Sequence, residues 1–106
     1  MAIVCVLTIC AASALAALPD KPYERAVTCQ ALADGVQASD QRTLTASRAI
    51  AFELESYVKS GKKRRKKILS DISDAAVKLD ELDAASREAR WTQCLDVYAP
   101  EVARAT

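Results

Sequence analysis

Residues 91–98 read WTQCLDVY, and their reading decides the fold. Trp91, Cys94, Leu95 and Tyr98 recur at i, i+3, i+4 and i+7, which places them on one face of an α-helix. The chain's single tryptophan and a cysteine therefore point toward the same core. The partner expected for Cys94 is Cys29, so that one disulfide would clip the two ends of the domain together around the helices between them.

That pairing follows from what precedes it. The chain of 106 residues holds four cysteines, and two of them, Cys5 and Cys10, lie in the opening run MAIVCVLTICAASALAAL. The run carries no charged side chain and gives way abruptly to PDKPYER. Ala14 and Ala16 stand where the −3 and −1 residues of an A-x-A cleavage site belong, so residues 1–16 read as a secretory signal peptide and 17–106 as a single mature domain. The absence of Lys and Arg from the first residues is atypical of such a signal. An uncleaved anchor is the competing reading, yet about 17 residues rise only about 26 Å as a helix, short of a hydrocarbon core of about 30 Å. A lipoprotein is disfavoured by Ile9 before Cys10, where lipidation needs a small residue. With the signal removed, Cys29 and Cys94 remain, and export places them in an oxidising compartment, periplasmic or extracellular. Closing so long a loop is worth about 4 kcal/mol if chain entropy alone counts. A core this small needs such help. Free thiols or bridges between chains are the alternatives.

The rest of the chain reads as helices. Asp20 is a suitable N-cap for a first helix with Pro22 in its first turn and a stripe of Ala26, Cys29, Leu32, Ala33 and Val36, ending by about Ala38. Ser39 or Asp40 caps a second helix, apolar around more than half its circumference through Leu44, Ala46, Ile50, Phe52, Leu54 and Tyr57. Such a helix is expected at the centre of a small bundle. Ser60-Gly61 stops it. A third helix carries the seam Ile68, Ile72, Ala75, Leu79 and Leu82, stepping by four and three. Asp83 then caps the last helix, which ends before Pro100. The expected fold is all-α: an up-and-down antiparallel bundle of four helices, or three if the joint at Leu82–Ala85 is continuous.

Composition excludes more than it suggests. There is no histidine, which removes Ser-His-Asp triads, Cys-His dyads and the usual zinc sites. Two cysteines this far apart match no C-x-x-C spacing. With two glycines in the chain, no phosphate loop is present. Paired carboxylates (Glu53 with Glu55, Asp80 with Glu81 and Asp83) sit on polar helix faces and read as solvated surface rather than acid–base machinery. No enzyme, cofactor or metal site is expected, and the mature chain has no transmembrane span. In size, helicity and cysteine number it is similar to acid-stress periplasmic chaperones and to secretoglobins. The likeness stops at architecture, because neither the place of Cys94 nor the central basic run follows their pattern.

That run is Lys62-Lys63-Arg64-Arg65-Lys66-Lys67, six consecutive cations. It opens the third helix, whose far end is rich in acids, and so opposes the helix dipole at both ends. Helix stability does not account for it. It could bind an anionic surface such as lipid head groups, lipopolysaccharide or polysaccharide. Nucleic acid is disfavoured, since no aromatic residue interleaves the run and the chain is read as exported. GKKRR also resembles the glycine-plus-dibasic sites of secreted peptide precursors. Cleavage there would leave two fragments joined through Cys29–Cys94. The bland alternative is a solvated hairpin loop. The leading expectation is a non-catalytic exported protein that acts by binding.

Overall fold

The computed structural model describes residues 17–36 and 40–100. The expected signal peptide lies outside the described residues. Four helices are present among them, α1 (Pro22–Asp34), α2 (Gln41–Lys59), α3 (Arg65–Asp80) and α4 (Ala84–Tyr98), with no strand. The all-helical architecture expected from the periodicities is the one adopted.

The helix boundaries follow from local chemistry. Pro22 is the first residue of α1, and Lys21 rather than Asp20 occupies the cap position, without a side-chain cap bond. Proline has no N–H to satisfy and its fixed φ suits the first helical position, so the helix begins there whatever precedes it. α1 ends before Ala38, as expected: Gly35 is its C-cap, and its N–H donates to the carbonyl of Leu32 at 3.1 Å. Asp40 caps α2 by accepting from the Thr43 N–H at 2.7 Å, and Asp83 caps α4 by accepting from the Ser86 N–H at 2.7 Å. The second cap settles the open joint, because α3 and α4 are separate helices. α2 ends at Lys59, followed by Ser60 and by Gly61 in the left-handed region at φ 76°.

Cys29 and Cys94 are bonded, with Cα atoms 5.8 Å apart across a sequence separation of 65. Both are fully buried, and Trp91 lies in the same core, as the spacing of residues 91–98 required. Around them are Ala26, Val27, Leu32, Ala46, Ile50 and Leu54, with Ile68 and Leu79 supplied by the seam of α3.

The helices do not pack mainly on their neighbours in sequence, as an up-and-down bundle would have them do. α1 packs against α2, α3 and α4 alike, and α2 packs also on α4, whereas the consecutive pairs α2–α3 and α3–α4 approach little. The central helix is thus α1, not α2. Residues 26–29 of α1 are buried in succession, which covers its full circumference. Its small side chains, Ala26, Cys29, Ala31 and Ala33, let neighbouring backbones come close on several sides. α2 is longer, yet it leaves Phe52 78% exposed.

Candidate functional site

The basic run occupies the turn between α2 and α3 and the first turn of α3, so α2 and α3 form a hairpin with cations at its tip. The turn is built on one carbonyl. Tyr57 C=O accepts from the N–H groups of both Lys62 and Lys63, at 3.0 and 3.1 Å. The left-handed Gly61 makes the reversal that this requires.

The six cations do not share one role. Lys63 lies over the ring of Tyr23, 4.5 Å from its centroid. Arg65 holds Glu55 with both terminal nitrogens, at 2.8 and 2.7 Å, a fork that draws the Glu55 carboxyl below its ordinary pKa and raises that of Arg65. Lys67 donates to Asp71 Oδ1 at 2.9 Å, one turn along α3. Lys62, Arg64 and Lys66 are exposed, and their side chains make no ion pair or hydrogen bond among the described residues. Lys63, Arg65 and Lys67 are therefore compensated from within the protein, and the other three are left to solvent.

Tyr23 ties this end of the molecule together, a role that nothing in the sequence announced. Its hydroxyl donates to Asp71 Oδ2 at 2.6 Å, and its ring meets that of Tyr57 edge-on with centroids 5.1 Å apart. Burial, then the bond to Asp71, pushes the Tyr23 hydroxyl well above the usual phenol range. The same bond, with that from Lys67, holds Asp71 below the usual carboxylate range. The start of α1, the end of α2, the turn and α3 thus meet at one aromatic ring. The Lys67/Asp71 pair has readable i, i+4 spacing. The long-range partner has no such signal.

Two cavities flank the hairpin. A groove of about 770 Å3 borders α1, α3 and α4, and its walls mix cations such as Lys21 and Lys78 with the carboxylates Glu24, Asp71 and Asp74. A cleft of about 330 Å3 opens between α1, α2 and α3, walled by Ala51, Leu54, Val58, Ile68, Leu69 and Ile72. Gln30, Asp34, Glu55 and Arg65 complete its lining. These polar groups pair off, Gln30 with Asp34 at 2.9 Å and Glu55 with Arg65. What the cleft presents is aliphatic.

No cluster of metal-ligating side chains occurs among the described residues, and no described helix is long and apolar enough to cross a membrane. No protein-family model matches the chain, and neither the curated proteins nor the solved structures compared with it contain a match. The fold and the site define a disulfide-clipped helical domain with a cationic hairpin tip.

Proposed function

We propose that this is an exported, non-catalytic helical protein that binds an anionic surface through Lys62, Arg64 and Lys66 at the tip of the α2–α3 hairpin. The supporting observation is the division of labour within the run. Lys63, Arg65 and Lys67 have partners inside the molecule, while the remaining cations have none among the described residues, and they crowd the positive end of α3 at a cost to the helix. A phosphate-bearing lipid head group, lipopolysaccharide or an acidic polysaccharide would supply the missing counter-charge. Each cation near such a surface contributes about 1 kcal/mol, screened over about 8 Å at physiological salt. Export after removal of residues 1–16 is part of the same proposal, and the intact mass of the secreted product reads it directly.

Co-sedimentation with anionic and neutral vesicles at low and physiological salt tests the surface reading. Wild type should sediment with anionic vesicles alone, and the variant Lys62→Gln/Arg64→Gln/Lys66→Gln should remain in solution. Equal sedimentation of the two proteins would reduce the run to a solvated loop. The precursor reading has less support. The bond after Arg65 lies within the first turn of α3, with Arg65 itself bound to Glu55, so a protease would first have to open the helix.

A further inference from the structure

We infer that the aliphatic cleft between α2 and α3 takes the acyl chain of an anionic bilayer lipid whose head group rests on Lys62, Arg64 and Lys66, an inference that builds on the anionic-surface reading of that hairpin tip. The two halves of such a site are contiguous. Arg65 and Val58 line the cleft at its hairpin end, and the three unpaired cations lie in the turn joining those residues or directly beside them in α3. The polar groups at the margin are already paired with one another, so the walls offer no unmet hydrogen bond and suit a hydrocarbon chain. An amphiphile with an anionic head and an aliphatic tail complements this order of charge and apolar surface.

A free single-chain ligand and a bilayer lipid share that chemistry. The exposed rims favour the bilayer. Leu69, on the cleft wall, is 61% exposed, and Phe52, next to Ala51 on α2, is 78% exposed. A soluble ligand seated in the cleft would leave Phe52 in water, whereas an apolar phase around the hairpin would cover both side chains. Head-group contact alone is screened by salt, but transfer of hydrocarbon is not. Each methylene removed from water is worth about fourfold in affinity. The cleft should therefore show as binding that survives where electrostatic attraction fails.

The full chain is tested on vesicles of phosphatidylglycerol mixed with phosphatidylcholine, from low salt to about 0.5 M, where the Debye length falls to a few Å. Ala51→Phe is the decisive variant. Ala51 is exposed on a helix, so the bulkier ring is tolerated by the fold, yet it projects into the cleft. Simple apolar insertion would be strengthened by the added ring, whereas chain occupancy would be blocked. We expect wild type to retain binding at high salt, and Ala51→Phe to lose it by about tenfold or more while still binding at low salt. Leu69→Ser, which opens one wall at an exposed position, should act in the same direction. Circular dichroism melts establish that both variants fold. High-salt binding equal to or above wild type in Ala51→Phe would overturn the cleft. Wild-type binding confined to low salt would also overturn it and leave the anionic-surface reading standing. No binding to anionic vesicles at any salt would sink both. Binding of monomeric dodecyl phosphate without vesicle binding would assign the cleft to free amphiphiles and overturn the bilayer lipid.

Discussion

Tyr23 donates its hydroxyl to Asp71 at 2.6 Å, joining the first turn of α1 to the middle of α3. The same ring carries the Lys63 ammonium on its face and meets Tyr57 at its edge. Removal of the hydroxyl alone should therefore be separable from removal of the ring. Tyr23→Phe keeps both ring contacts and should lower stability by about 1 kcal/mol, the low end for a bond to a charged, partly exposed acceptor. Tyr23→Leu should cost more, because the aromatic contacts go as well. Urea unfolding of the two variants measures the difference, and equal losses would mean that the bond, not the ring, matters.

The disulfide yields a larger effect. Changing Cys94 to Ser removes a closed loop of long sequence separation and leaves a thiol and a hydroxyl in a fully buried place. The expected loss is about 2–4 kcal/mol, read from denaturant midpoints of wild type and variant under oxidising conditions. In native wild type, neither cysteine should react with a thiol reagent.

Acid should weaken the fold in a defined window. The Asp71 carboxyl is held low by its bond from Tyr23 and then by Lys67; the Asp40 and Asp83 carboxyls are held low by the backbone N–H groups they cap. A depressed carboxyl pKa stabilises the folded state above the unfolded-state value of 3.8 and ceases to do so as pH falls through the lower, folded value. Stability should thus be flat above about pH 5 and decline below about pH 4. Asp71→Asn should be less stable at neutral pH and show a shallower acid decline, which thermal melts across pH 2–7 would reveal.

Cations at the N-terminus of a helix oppose its dipole. Replacing Lys62, Arg64 and Lys66 together with Gln should leave the thermal midpoint unchanged or raise it by about 2 °C at low salt. Arg65→Gln should lower it, since Glu55 then loses its partner. A fall in the first variant as large as in the second would mean that the exposed cations also support the fold.

Gly61 sits at φ 76° with open space around it. Gly61→Ala should cost about 1 kcal/mol through backbone strain alone, since no clash is added. Chemical denaturation checks this, and an unchanged midpoint would show that the turn relaxes.

Much of this architecture could be read from the chain because its causes are local. Asp40 and Asp83 cap helices through residues three positions on, Ser60-Gly61 stops α2, and the face shared by Trp91 and Cys94 needs nothing beyond helical spacing. What escaped was decided between elements. The choice of α1 as hub rests on how closely Ala26, Cys29 and Ala31 let three neighbours approach, whereas the width of the apolar face pointed to α2. The basic run was visible as six equivalent charges. Its division into two kinds required Tyr23, Glu55 and Asp71, and of their pairings only Asp71 with Lys67 stands at helical spacing. The aliphatic cleft had no linear signature, since its lining joins α1 to the two helices on either side of the turn.

The bond between Cys29 and Cys94 also governs how the molecule would carry mechanical load. Tension applied through the chain on either side of this pair passes across the sulfur atoms and bypasses the segment between them, α2 and α3 included. A pull could extend only residues outside that pair, so the hairpin keeps its shape while either flank is stretched. Reduction would reroute the force through every helix in turn. A molecule tethered at one end and gripping a surface by its hairpin would instead carry the load along α2 and α3, between the bridge and the tip.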